Sequence, residues 1–435
     1  MAGRDPAASQ RATTGLGPYV RVAVAEKHRG GNRHLQVEQV LAEHKQAENR
    51  QETRHDHRQG AERQGGGQQE RPQTTGMLDI TEKGHGYLRL PERKYRPTPL
   101  DPYMPSDVVK RTQLRPGLIV TVNTGPNKRG PGPLVTYVNQ VEGMPLRDYF
   151  KTPFFQDLVV IDPRERIKLE TLGGPASMRI MELLTPIGRG QRGLIVAPPK
   201  TGKTTLLKQI AEATTKNHPD MKVFVLLIDE RPEEVTDFRR SLPDCEVWAS
   251  NTDEDIDSHV RTARMVIERA KRLVEFGKDV MVILDSITRV ARAFNHFSGS
   301  GRTMSGGLDA TAMQEPRSMF GAARNIEHGG SLTIIASALI DTGSRMDELI
   351  FQEFKGTGNM ELVLSKKLAE RRTWPAIDLP GSGTRKEALL LGPEVERKVA
   401  MLRRDLVSRE PSQGMESLLK AMAKFPTNEQ FLSSF

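Results

Sequence analysis

The chain has 435 residues and a mass of 48.5 kDa, with a formal net charge of +9 and a pI near 9.5. That length predicts two or three domains, and the basic balance points to an anionic partner, nucleic acid first. A single cysteine, Cys245, excludes an internal disulfide framework and fits a reducing cytoplasm; no apolar run reaches the roughly 18 residues of a membrane span.

Residues 1–75 form a compositional zone of their own. The segment "HKQAENRQETRHDHRQGAERQGGGQQERPQ" has almost no apolar side chains and cannot offset the entropy of ordering. Five of the chain's ten histidines fall here and read as a solvated tail rather than a metal tract. Leu35 to Gln46, "LQVEQVLAEHKQ", predicts a transient helix. The N-terminus has no apolar signal core, so a cytoplasmic location is expected.

Order is expected from Gly76. "GMLDITEKGHGYLRLP" alternates like a hairpin with glycines at its turn, and "LRPGLIVTVNTGPNKRGPGPLVTYVNQVEG" adds two strand-like runs. Residues 76–150 therefore predict a small all-β module. A five-stranded barrel is preferred and an SH3-like barrel is the alternative. Residues 151–174 are a connector. From 175 to 435 strands alternate with helices: "GLIVAP", "MKVFVLLID", "DVMVILD" and "SLTIIASALI" as strands, with "KTTLLKQIAEATTKN" and "DIDSHVRTARMVIERAKRLVEFG" as helices. Near-continuous Val, Ile and Leu runs fit a parallel sheet covered on both faces, giving a P-loop α/β domain.

The chemistry centres on Ala197 to Thr204, "APPKTGKT". This is the Walker A spacing, with Ala in the usual first Gly position. The loop Pro198, Pro199, Lys200, Thr201, Gly202 leads into a helix whose first amides, with Thr205 in the first turn, face an anion. Lys203 is expected to reach the β and γ phosphates of ATP. Thr204 and Asp285, which ends "VMVILD", are expected to hold Mg²⁺. In "VFVLLIDERPEEVTDF", Glu230 lies just past its strand and is the candidate to activate water; Arg231 could sense the γ phosphate. The bland alternatives are a helix cap for Asp285 and a surface salt bridge for Glu230.

Two Gly-rich segments, "FSGSGRTMSGGLDATAM" and "DTGSRMDELIFQEFKGTGNMEL", carry Arg302 and Arg345. They suit sequence-independent contact with a nucleic-acid backbone, or are ordinary solvent loops. In "KKLAERRTWPAIDLPGSGTRKEALL", Trp374 could stack on adenine or pack in the core. Arg372 and Arg385 could bring charge to a phosphate site between neighbouring subunits.

The motifs "TPIGRGQRGLIVAPPKTGKTTLL", "LLIDERPEEVTD", "LDSITRVARAFN", "GGLDATAM", "FKGTGNMEL" and "PAID" occur in this order. Together they closely resemble the Rho family of bacterial transcription termination factors, over about residues 76–433. The resemblance implies a RecA-like P-loop core behind an OB or cold-shock-like RNA-binding domain. It implies a homohexameric ring that uses ATP to move 5′ to 3′ on nascent RNA and releases it from the RNA polymerase elongation complex, with elongation factors as further partners. By motif, Lys203, Thr204, Glu230 and Asp285 fall on the family's nucleotide and catalytic positions. Arg385 resembles its arginine finger, Arg372 a second interface arginine, and Trp374 its adenine-stacking aromatic. The loop 302–310, with Arg302, Thr303, Gly306 and Gly307, resembles one RNA loop of the ring's channel, and Arg345 falls in a second.

"GHGYLR", with His85, Tyr87 and Arg89, resembles the hallmark of the primary site for cytidine-rich single strands, with His85 in place of a larger apolar ring. The rival readings are a rotary-type ATPase subunit, which shares such a core and a preceding β domain, and a non-catalytic RNA-binding protein with a decayed nucleotide site.

Overall fold

The computed structural model describes residues 73–298, 305–309 and 311–435. The polar extension up to residue 72, its expected transient helix, and both Arg302 and Thr303 lie outside the described residues. The described chain divides into two compact units, one of residues 73–115 and 119–151 and the other of 116–118 and 152–435.

The first unit is all-β apart from short helices. Its strands are β1 (Gln73–Ile80), β2 (Gly86–Arg89), β3 (Tyr103–Met104), β4 (Ile119–Gly125) and β5 (Leu134–Val141). β1 and β2 form the expected hairpin, closed by Thr81 N–H donating to His85 O at 2.9 Å. β1 starts at Gln73 rather than Gly76 because Gln73–Met77 pair antiparallel with Asn123–Ile119 of β4. β3 pairs antiparallel with β2 and parallel with β5. The circuit β1-β2-β3-β5-β4 then returns to β1. This closure is the OB-type five-stranded barrel and not the SH3-like alternative. β6 (Met144–Pro145) only extends β5. Period-2 alternation fills the inside: in β4, Val120 and Val122 are fully buried while their neighbours Ile119, Thr121 and Asn123 are half-exposed.

The second unit is built on parallel strands in the order β10 (Glu246–Asn251), β9 (Lys222–Glu230), β11 (Asp279–Asp285), β13 (Ser331–Leu339), β8 (Arg192–Ala197), β14 (Met360–Val363). β15 (Gly383–Thr384) adds antiparallel at one edge. β7 (Val160–Ile161) and β12 (Arg324–Ile326) form an antiparallel extension off β13. Register is set by alternation. Ile195, Val225, Ile283 and Ile335 project to one buried cluster and Val196, Leu226, Val282 and Ile334 to the other. Both clusters are covered by helices, so the strands read as unbroken apolar runs.

Lys203–Asn217, Pro232–Ser241 and the C-terminal helices Pro393–Val407 and Pro411–Met422 cover the first face. Ile256–Glu275 and Ile287–Ser298 cover the second. The longest, Ile256–Glu275, starts where Asp255 caps the amide of Ser258 at 2.7 Å and ends before Gly277, which has φ 72°. No described helix is long and apolar enough to cross a membrane.

Candidate functional site

The loop 198–202 leaves the carboxyl end of β8, where ligands bind in open α/β sheets. Thr201 is buried and its hydroxyl donates to Pro198 O at 2.7 Å, which pins the loop across its mouth. Gly202 takes φ 85° at the N-cap of Lys203–Asn217. A Cβ there would sit 3.1 Å from Cζ3 of Trp374, so the position needs glycine twice over. The first amides of that helix have no carbonyl one turn back and are left to face an anion.

Asp285 ends the neighbouring strand β11 and is 1% exposed. Its Oδ1 pairs with Lys203 Nζ and accepts the Ser337 hydroxyl at 2.8 Å. Its Oδ2 is buried with no hydrogen-bond partner among the described residues. A buried carboxylate oxygen left in that state fits a divalent cation or its water.

Glu230 ends β9 beside it and is 4% exposed. Burial first, then the charge of Asp285, pushes its carboxyl up to about 7, against the pull of Arg289 and Lys203. Arg289 Nη1 pairs with Asp229 at 2.7 Å, and its Nε lies 3.3 Å from Glu230 without hydrogen-bond alignment. The result is an acid–base group that titrates near neutral pH, next to a cation-seeking carboxylate and a lysine.

Trp374 borders a cavity of about 370 Å³ with Thr201, Gly202, Thr205 and Gln209. At 42% exposure its ring is available to a flat ligand, and core packing does not account for it. The helix Ile287–Ser298 leads away from Asp285 and carries polar groups at successive turns. Arg289 faces Glu230, as above. Arg292 grips Asp347 through Nε at 2.8 Å and Nη2 at 2.5 Å. Asn295 donates to Gly307 O at 3.0 Å and accepts from Asp309 N at 2.7 Å. Asp347 is 1% exposed and also holds Thr342 at 2.6 Å. One helix thus touches the acid–base group and both Gly-rich segments.

In the barrel, a cavity of about 1230 Å³ is walled by His85, Tyr87 and Tyr103, with Lys83, Lys128 and Arg129 along it. Tyr87 pairs with Tyr103 across β2 and β3, their rings edge to face at 5.6 Å. Aromatic faces beside basic side chains suit a single nucleic-acid strand.

A family model for the Rho termination factor RNA-binding domain matches residues 74–146, and one for the ATP synthase alpha/beta family nucleotide-binding domain matches 177–383. Transcription termination factor Rho of Aquifex aeolicus is 47% identical over 364 residues, covering 82% of this chain and 84% of that protein. The chain belongs to the Rho family. The Rho factor of Streptomyces coelicolor is 48% identical over 359 residues, with 82% and 84% covered. The Rho factor of Rhodopirellula baltica is 48% identical over 367 residues, with 82% and 71% covered. Among solved structures, the assembled type III secretion ATPase EscN superposes with a TM-score of 0.52 at 21% identity, over 63% of this chain and 71% of that one. A prototypical ATPase from such a secretion system gives 0.51 at 23%, over 66% and 78%. These show a shared core fold, and the matched RNA-binding domain sets this Rho-family chain apart from the rotary-type rival.

The residues singled out in the sequence do not all meet. Lys203, Thr204, Asp285, Glu230 and Trp374 gather around the phosphate loop. Pro198 is buried, while Pro199 and Lys200 on the loop and Thr205 in the first turn of the following helix are exposed. Arg231 is exposed at the N-cap of Pro232–Ser241, and Arg372 is exposed two residues before Trp374. Arg385 is elsewhere. Its amide donates to Asn359 O at 2.9 Å, and Asn359 N donates to Arg192 O at 3.0 Å. That is the starting end of β8, with the loop at the other end, roughly 17 Å away at about 3.3 Å per residue.

Gly306 and Gly307 pack on the start of the helix Arg345–Lys355, a Cβ on Gly306 falling 3.6 Å from Arg345 Cγ. Arg345 itself is exposed. In the barrel, Arg89 does not join His85 and Tyr87 on the cavity wall. It is 8% exposed, and its guanidinium is held by Asp79 at 2.5 Å and Asp101 at 2.8 Å. Tyr103, Arg289, Arg292, Asn295 and Asp347 were not singled out in the sequence. The one available signal was the spacing of 289, 292 and 295 along a single helix face.

Proposed function

We propose that this chain is an ATP-driven 5′-to-3′ RNA translocase that ends transcription by binding nascent RNA and releasing it from RNA polymerase. The observation that carries the reading is the Lys203, Asp285 and Glu230 cluster at a Walker A loop, in a chain that also bears a matched RNA-binding domain. ATP is bound with its base against Trp374 and its phosphates on the amides that begin Lys203–Asn217. Asp285 and Thr204 would hold a magnesium ion, whose positive charge would offset that of the phosphates. Lys203 exchanges its contact with Asp285 for phosphate oxygens. Glu230, ionised near neutral pH, orients water and takes its proton.

Arg385 stabilises the developing charge in a neighbouring copy's site, because within its own subunit it lies at the far end of β8. Arg372 serves the same seam. The copies form a ring, six in the family this sequence resembles. Arg345, Gly306 and Gly307, with Arg302 and Thr303, follow the RNA backbone inside it. His85 and Tyr87 capture a cytidine-rich single strand on the barrel.

The test is ATP turnover measured without RNA, with polycytidine and with DNA, alongside a size measurement in nucleotide. Strong stimulation by RNA alone, in an oligomer, is expected. Brisk turnover by a monomer indifferent to RNA would remove the reading.

A further inference from the structure

The barrel cavity holds a polar device that stacking alone does not use. His85 immediately precedes β2 and Tyr87 is the strand's second residue, and the two line the same cavity. The backbone of His85 is fixed by Thr81, whose amide and hydroxyl both donate to its carbonyl, at 2.9 and 3.2 Å. Its ring is fixed as well. Nδ1 lies 2.9 Å from the Tyr103 hydroxyl, and the two rings are tilted by 42° with centroids 5.6 Å apart. Between a phenol and a neutral imidazole, the phenol is the acid and the imidazole the base, so Tyr103 donates to Nδ1. The proton of the neutral ring then sits on Nε2.

We propose that His85 is a specificity-determining residue that donates Nε2–H to a hydrogen-bond acceptor on the edge of an RNA base, and that Tyr103 is its positioning residue. This rests on the reading of the cavity as an RNA site. A base edge is favoured over a phosphate because the wall around His85 is aromatic. The cations suited to phosphate, Lys83, Lys128 and Arg129, belong to the turn before β2 and the loop before β5. The acids on the same cavity, Glu82 and Asp101, are acceptors and cannot replace the donor. Asp101 is already engaged by Arg89 and Thr98. A phenylalanine at position 85 would offer more apolar face but no donor, so the two roles oppose each other on substitution.

The experiment is equilibrium binding of short cytidine and uridine oligonucleotides to the full chain, without ATP, for wild type, His85→Phe, Tyr103→Phe and the double variant, at several salt concentrations. His85→Phe is expected to bind about ten-fold more weakly, as a lost bond of roughly 1.4 kcal/mol. Tyr103→Phe is expected to weaken binding less, and to add nothing once His85 is Phe. The slope of log affinity on log salt is expected to stay unchanged, because no phosphate contact is lost. Equal or tighter binding by His85→Phe would overturn the inference, as would additive losses or a shallower salt slope. Failure of the wild type to bind either oligonucleotide would instead sink the RNA reading of the cavity.

Discussion

Replacing Glu230 with Gln should stabilise the nucleotide-free protein, and the gain should grow with pH. The carboxyl is 4% exposed, and its pKa is raised from 4.5 to about 7. A carboxyl raised in this way prefers its proton in the folded state. Its contribution to stability is therefore complete below pH 4.5 and is lost as pH climbs through 7. At about 1.36 kcal/mol per unit the full loss is about 3.4 kcal/mol, and roughly 2.5 kcal/mol of it falls between pH 5 and pH 8.

Gln keeps the shape and hydrogen-bonding edge but never ionises. The variant should thus gain about 2.5 kcal/mol over wild type between those two pH values, because the titrations of groups remote from Glu230 cancel in the difference. The assay is urea unfolding followed by tryptophan fluorescence. Both tryptophans, Trp248 and Trp374, belong to the ATPase unit, so the signal reports that unit alone. A stability difference that is the same at pH 5 and pH 8 would refute the burial argument, and with it the idea of a base poised near neutrality.

Four further outcomes are expected. RNA-stimulated kcat/KM for ATP should rise with pH to a plateau above about 7, and the slow residual turnover of Glu230→Gln should lack that limb; a flat wild-type profile would count against Glu230 as the base. Gly202→Ala, strained at φ 85° and pressed on Trp374, should weaken binding of a non-hydrolysable ATP analogue by about ten-fold, checked by titration. Arg292→Ala leaves Asp347 buried and stripped of its cation. It should cost about 3–5 kcal/mol in urea unfolding, and less when Asp347→Ala is added; a milder single variant would mean that Asp347 is satisfied by Thr342 alone. Lys203→Ala and Arg385→Ala should each be inactive alone and regain turnover when mixed, since a mixed seam can join an intact loop to an intact arginine. A mixture as dead as its parts would remove the trans assignment.

What could be read in the sequence followed from local rules. The helix at Lys203–Asn217 and the strand Asp279–Asp285 begin and end where their motifs do, because a Gly at positive φ starts one and an unbroken apolar run makes the other. The barrel's closure was harder. It rests on β3, two residues long, whose pairing of Tyr103 with Leu134 joins distant parts of the chain. β10, "EVWASN", carries no strand signature, because an edge strand with polar, half-exposed residues has no strong period.

Arg89, expected at the RNA site from "GHGYLR", is held by Asp79 and Asp101, ten and twelve residues away. No spacing rule distinguishes a free arginine from one with such partners. Nothing local in the sequence sets Arg289 and Arg292 apart, because their acids come from β9 and from the helix at Arg345.

The separation of Arg385 from the phosphate loop along β8 has an arithmetical consequence. With Arg385 serving a neighbour's site as proposed, each copy would carry two unlike half-sites, one at either end of a strand. A row of n such copies with free ends would then assemble n − 1 working sites, and only the joint that closes the circle would supply the last. Threading a strand through a gap and then sealing it would switch on a further site at the moment of capture, so that topology itself reports a loaded machine.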